Sequence, residues 1–566
     1  MYTAGLCTLF SLLMSSLVSG LPVRVVNGGA DLRDENGARR RGITLPMKGG
    51  AVVKRNVEEL LVGSIGLGDF ADVVYTVAIQ IGNTTTAVNL DTGSSDLWVM
   101  STSCQTSVCR QSNATAFSVA TFQSTEANVN LTFGDATTGT FAAGPVGLDS
   151  VTLAGLSVPN QPFAAVDNTD NTAVLNGGAG IIGLGFPAES TIQNEVVAQK
   201  FNNPSTTDDF ISNINTYGPF VSRLVASGVI DQPLFAITLQ RDTIDVSGSG
   251  EITIGELPAG VDNSSITWVP VRLYDPAEGG LNPPTFASNE TYPLRWEVPI
   301  ENVYLDGKQL ANSTIPPNGV PSSFVSALID SGNSLIRGPQ DVVNNILSAV
   351  SPAYAADSSA KPTLPCASAH NLTYQIGGRL FPVDPRDFIA QAENGNASTC
   401  VASSVVSTDP PSVGTLFSWS LGDPFLKSNM VVFYYGNLTH PSVDPPRIGF
   451  RSIVPTNASA LLDEAVSVAS QDHGNFECMY RLTVLTYLCG LIKNLLATVN
   501  VAPTSSEVFE ITVTSTATTS APSHSMPPID RTSSQNSSAS VTKPHLFRSC
   551  FSIVAPVVYL SFLLVF

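Results

Sequence analysis

The sequence predicts an all-β protein built as two similar lobes that face each other. Three observations predict it. Charged residues make up only 13% of the chain while Gly (44) and Pro (38) are plentiful, a turn-rich composition unlike that of a helical protein. From about Asp72 to Arg451, apolar residues come in short, often alternating runs bounded by turn residues. Two of these runs end in the same signal, an Asp, a hydroxyl residue and a Gly, and each is followed about 90 residues later by an apolar-Gly element.

Taken in order, Met1 to Gly20 carry no charged side chain and hold the apolar run Leu6–Leu17, then Ser19 and Gly20. This reads as a secretory signal peptide, in preference to a buried N-terminal helix. Leu21 to Arg55 holds eight basic residues against three acidic ones and ends in Lys54-Arg55. A basic segment ahead of an acidic body, closed by a dibasic pair, reads as a propeptide with its processing site; the bland alternative is a linker. An N-terminal β lobe is expected over 56–260 and a C-terminal β lobe over 261–453. Their strands include Val73–Ile81, Ala87–Leu90, Leu131–Phe133, Val151–Leu153, Phe235–Leu239, Ile252–Ile254, Ile266–Val271, Val325–Ile329 and Val431–Tyr435. The convincing helices are short, such as Gln340–Val350.

A stalk is expected over 454–541, since Ala502–Val541 is rich in Ser, Thr and Pro. Within it, Asp472–Asn500 brings Cys478, Cys489 and an apolar run, Leu482–Ile492, too short to cross a bilayer. That stretch reads either as a helix packed beneath the lobes or as retained intron sequence. The tail, 542–566, ends in the apolar run Cys550–Phe566 behind small residues at Asn536-Ser537-Ser538 and a polar spacer. This fits a lipid-anchor (GPI) signal with Asn536 as attachment site, in preference to a transmembrane span.

The net charge of −19 excludes nucleic acid as a partner, because phosphate binding needs a basic face. Secretion makes Cys104 with Cys109, and Cys366 with Cys400, short-range candidates for disulfides, and leaves the pairing of Cys478 and Cys489 open. Eleven Asn-x-Ser/Thr sequons, at Asn83, Asn113, Asn130, Asn263, Asn289, Asn312, Asn371, Asn396, Asn437, Asn457 and Asn536, point to a glycosylated surface. There is no His-Glu-x-x-His zinc motif and no Gly-x-Ser-x-Gly nucleophile elbow.

The chemistry concentrates at Asp91-Thr92-Gly93 and Asp330-Ser331-Gly332. Two carboxylates held close together share one proton, because like charges at short range cannot both persist. The ionised member can then draw a proton from a water while the neutral member donates one. A glycine after each Asp-hydroxyl pair permits a tight turn with backbone N–H groups facing the carboxylate. Hydroxyls at Thr92 and Ser331 can bond across the interface and hold the pair rigid. No cofactor or metal is called for.

Asp91-Thr92-Gly93-Ser94-Ser95-Asp96-Leu97-Trp98-Val99 resembles the first active-site motif of pepsin-like aspartic proteases. Ala327 through Leu335, with Gly338-Pro339, resembles the second. Ala179 through Gly185 and Leu421-Gly422-Asp423-Pro424-Phe425 resemble later landmarks of that family, and the Cys104–Cys109 and Cys366–Cys400 loops match its pattern. The resemblance spans about residues 72–451 and implies a bilobal fold with a cleft between the lobes, protein or peptide substrates and a monomer. Such proteases are the standard instance of a carboxylate pair sharing a proton. With propeptide, stalk and tail, the layout is similar to the GPI-anchored, yapsin-like members on fungal surfaces, at the plasma membrane or cell wall. By position, Asp91 and Asp330 become the dyad, Ser94 a donor to Asp91, and Asn130–Gly144 the flap, with Phe133, Gly134 and Asp135 near its tip. Two positions depart from the family pattern. Phe133 stands where most members have Tyr, so Trp98 is expected to lose a partner for its indole N–H. Asn333 stands where Ser or Thr supports the second Asp, and its amide is expected to donate in their place. A binding-only glycoprotein of the same fold is the alternative that these departures support.

Overall fold

The computed structural model describes residues 61–476, apart from 71, 73, 135–138, 202–203, 246, 316–324 and 409–417. The signal peptide, the propeptide with Lys54 and Arg55, Asp135, Cys478, Cys489, the Ser/Thr/Pro region and Asn536 lie outside the described residues.

Strands dominate because the apolar residues alternate. In Gln123–Phe133, Ala127, Val129 and Leu131 point inward while Glu126, Asn128, Asn130 and Thr132 face solvent. That strand pairs with Thr140–Leu153, which pairs with Leu156–Val166, inside the nine-stranded sheet of the first lobe. The second lobe is split among smaller sheets of five, four and three strands.

The internal repeat emerges as one pairing pattern used twice. In the first lobe Gly180–Gly183 runs parallel to Thr84–Asp91, with Gly183 opposite Asp91, and antiparallel to Leu97–Met100. In the second, Trp419–Leu421 runs parallel to Ser326–Ile329, with Leu421 opposite Ile329, and antiparallel to Ile336–Gly338. Each aspartate therefore ends a central strand at matching points of the two lobes.

A six-stranded sheet joins the halves. Gly63–Gly66, Glu251–Ile254 and Leu234–Thr238 come from the first half, and Asn429–Tyr434, Arg447–Ser452 and Thr267–Pro270 from the second. Across it Phe235 stacks on Phe433 at 4.7 Å, and Trp296 Nε1 donates to Leu184 O at 2.9 Å. A buried ionic network also bridges the halves. Arg241 makes two bonds to Asp387, of 2.7 and 2.6 Å, and Lys427 Nζ lies 3.4 Å from both Asp72 and Asp387.

Three boundaries differ from expectation. Residues 63–66, 234–238 and 251–254 belong to the joining sheet, outside the first lobe's own. Short helices fill 191–226, among them Thr191–Lys200 and Phe220–Ala226. Finally, the folded body continues past 453. Ala458–Gln471 is a helix with Leu462 and Ala469 buried, and Gln391 Nε2 donates to Gly474 O, so a stalk starting at 454 is incorrect. No helix among the described residues is long and apolar enough to cross a membrane.

Candidate active site

Asp91 closes the strand Thr84–Asp91, and Asp330 directly follows the strand Ser326–Ile329. The turns after them are stitched reciprocally. Thr92 Oγ1 donates to Ile329 O at 2.8 Å and accepts from Ser331 N at 2.9 Å. Ser331 Oγ donates to Leu90 O at 2.9 Å and accepts from Thr92 N at 3.1 Å. Four buried bonds thus tie the two turns, each hydroxyl serving as donor and acceptor.

The glycines make the approach sterically feasible. A Cβ on Gly93 would sit 2.4 Å from Asp330 Oδ1, and one on Gly332 would sit 2.4 Å from Asp91 Oδ1. Any side chain at either position would wedge the carboxyls apart. With both absent, each carboxyl packs against the glycine of the opposite turn, which brings Asp91 and Asp330 together.

The two carboxyls differ in their donors. Asp91 accepts from Gly93 N at 2.8 Å and from Ser94 Oγ. Asp330 accepts from Gly332 N at 2.9 Å. Burial pushes both above the usual carboxylate range. At Asp91 the Ser94 hydroxyl and the Gly93 N–H work against that rise, whereas at Asp330 the Asp91 charge adds to it. The donors at Asp91 therefore favour its charged form more than the single donor at Asp330 does.

Asn333 does not serve as expected. Its Nδ2 donates to Ser420 Oγ at 2.8 Å, and its Oδ1 accepts from Leu335 N at 3.1 Å and Arg337 Nε at 3.4 Å. The carboxamide is satisfied by the neighbouring strand Trp419–Leu421, so it turns from Asp330. Beyond burial, the Asp91 charge and the Gly332 N–H, the charge of Arg337 also bears on Asp330 and opposes the rise in its pKa. The signal for it was a lone base in the strand Ile336–Gly338 just after the second turn. Asp423, buried close by, is pushed well above its usual range by burial, with the Asp330 charge adding to that rise, so it stays protonated.

The hairpin Gln123–Phe133/Thr140–Leu153 pairs Phe133 with Thr140, and Gly134 opens its turn at φ +80°. Phe133 meets Trp98 at 6.0 Å between ring centroids. Trp98 is fully buried, and its Nε1 has no hydrogen-bond partner among the described residues. Cys104 is bonded to Cys109 and Cys366 to Cys400.

Two β lobes that each bring one aspartate to a turn stitched to its counterpart form the arrangement expected of an aspartic-type acid–base hydrolase. The profile of the eukaryotic aspartyl protease family matches residues 74–440. The chain is 27% identical to cathepsin E-A of Xenopus laevis over 396 residues, covering 68% of this chain and 81% of the relative. It is 27% identical to pepsin A of Bos taurus over 384 residues, covering 67% and 86%. It is 25% identical to major aspartyl peptidase 1 of Cryptococcus neoformans over 416 residues, covering 71% and 73%. The chain belongs to the eukaryotic aspartyl protease family, and it is an aspartic endopeptidase that hydrolyses peptide bonds in proteins or peptides.

Proposed function

We propose that Asp91 and Asp330 carry out the hydrolysis on a water held between them. Asp91, the better-donated carboxylate, takes a proton from the water as its oxygen attacks the scissile carbonyl carbon. Asp330 gives its proton to the carbonyl oxygen, producing a neutral tetrahedral diol. As the C–N bond breaks, Asp91 passes its proton to the leaving nitrogen and a diol hydroxyl returns one to Asp330. The pair is restored with no covalent intermediate. Thr92 and Ser331 act by fixing the separation, Ser94 by holding Asp91 ionised, and the hairpin with Phe133 and Gly134, and Asp135 beyond them, by closing over the substrate. The observation that carries this reading is the mutual clearance of Gly93 at Asp330 and Gly332 at Asp91.

The test is peptide cleavage at acidic pH, with and without pepstatin, on wild type and Asp91→Asn. Loss of roughly 10⁴-fold or more is expected, the scale on which removal of a central catalytic group acts. Activity that survives the substitution refutes the dyad.

The finer reading is a glycosylated, monomeric surface protease of yapsin-like layout. It is made with a signal peptide (1–20) and a propeptide (21–55) cut after Lys54-Arg55, and is tethered by a GPI anchor at Asn536. Supporting it, none of the ten sequons among the described residues is buried. N-terminal sequencing of secreted material should begin at or near Asn56, and a phosphatidylinositol-specific phospholipase should release the protein from membranes. A start at Leu21, or resistance to the phospholipase, refutes the respective step.

A further inference from the structure

A cavity of about 1340 Å³ opens beside the joining sheet, and neither Asp91 nor Asp330 lines it. Its walls include Pro258, Asp262, Trp268, Tyr434 and Arg447. Trp268 sits on Thr267–Pro270, the edge strand of that sheet. Its ring meets Tyr434 edge-on at 6.1 Å, and the Arg447 guanidinium lies 4.0 Å over Tyr434 and 5.5 Å from Trp268. Asp444 accepts from the Tyr434 hydroxyl at 2.7 Å, which holds the group in place. Trp268 remains only half-buried, so a pre-organised amphipathic surface faces the cavity.

At the rim stands Asn263, the acceptor of the sequon Asn263-Ser264-Ser265. It is exposed, on a single 3₁₀ turn whose start is fixed by Asp262 Oδ1 accepting from Ser264 N at 2.9 Å. Trp268 Nε1 donates to Asn263 Oδ1 at 2.9 Å. That bond occupies the acceptor of the carboxamide and leaves Nδ2, the atom through which an N-linked sugar is attached, free of any bond among the described residues. Because attachment replaces one Nδ2 hydrogen and leaves Oδ1 untouched, the same bond survives in the glycosylated protein.

We infer that the glycan on Asn263 is docked, its first sugars packing in this cavity against Trp268, Tyr434 and Arg447. A sugar ring presents C–H groups on its faces and hydroxyls at its edges. The aromatic rings match the first, and Arg447 and Asp262 match the second. The docked sugar also covers a sheet edge that would otherwise be open to pairing with another chain.

This rests on the secretory reading above, and the test separates the two. The full chain is expressed through a eukaryotic secretory pathway, and release by a native endoglycosidase is timed site by site with peptide mass spectrometry. The exposed sequons at Asn83 and Asn289 serve as references. Release at Asn263 is expected to be on the order of tenfold slower, the ratio that about 1.4 kcal/mol gives. Trp268→Ala should erase the difference without changing peptide cleavage, and Trp268→Phe, which keeps a ring, should retain part of it. Release at the reference rate in the wild type overturns the inference, as does equal loss in both variants. An empty Asn263 beside filled reference sites overturns it alone, and empty sites throughout overturn the secretory reading with it.

Discussion

Arg337 donates through Nε to Asn333, and its charge works on Asp330 against the burial that raises that carboxyl. Removing it as Arg337→Leu lets the Asp330 pKa rise further, so the neutral acid persists to higher pH. The descending alkaline limb of kcat/KM should move up while activity in acid holds; an unmoved limb would show that the guanidinium field does not reach Asp330. Trp98 offers a second test. A buried N–H without a partner costs about 1–3 kcal/mol, so Phe133→Tyr, if its hydroxyl reaches Nε1, should recover up to about 1 kcal/mol in the unfolding midpoint. No gain would mean that the phenolic oxygen falls short. Both Asp-hydroxyl-Gly turns were legible in sequence because their geometry is local. The true bonding of Asn333 was not, since its partner Ser420 lies 87 positions away.

Among the elements, strands were read well where one face is dry, as in Gln123–Phe133, because alternation then survives in the sequence. The helices of 191–226 were not, because polar residues sit on their buried faces. Gln193 is fully buried and donates to Phe210 O at 2.9 Å, while buried Arg223 donates to Asn160 O and Gln161 Oε1. Such residues break the apolar period that a sequence reading relies on. The joining ionic network was equally hidden, since its members come from distant segments. Burial alone would push Asp387 up, yet Lys427 and Arg241 together hold it below the usual range. Asp387→Ala removes the two short bonds of Arg241 and leaves Lys427 with Asp72 alone, and should destabilise the protein by about 3–5 kcal/mol, read by denaturant unfolding. A change under about 1 kcal/mol would show that water or rearrangement satisfies them.

At the scale of the whole molecule, buried carboxyls set a pH for stability. Burial chiefly raises Asp69 to about 8, Asp96 to about 6 and Glu297 to about 7. In the unfolded chain these groups ionise near pH 4. Between that value and the folded pKa values the native state binds more protons than the unfolded one, so stability falls as pH rises. Thermal unfolding followed from pH 4 to 8 should show a midpoint that declines toward neutrality, and a rising midpoint would refute the linkage. The joining sheet carries a different consequence, one of time. Each half pairs three strands of its own, and the sheet is completed only where Leu234–Thr238 meets Asn429–Tyr434, with Phe235 opposite Phe433. Such a pairing closes a loop of 198 residues before any bond rewards it, so slow folding is expected. The same long-range closure should also make opening slow, an expectation that the unfolding rate in denaturant checks.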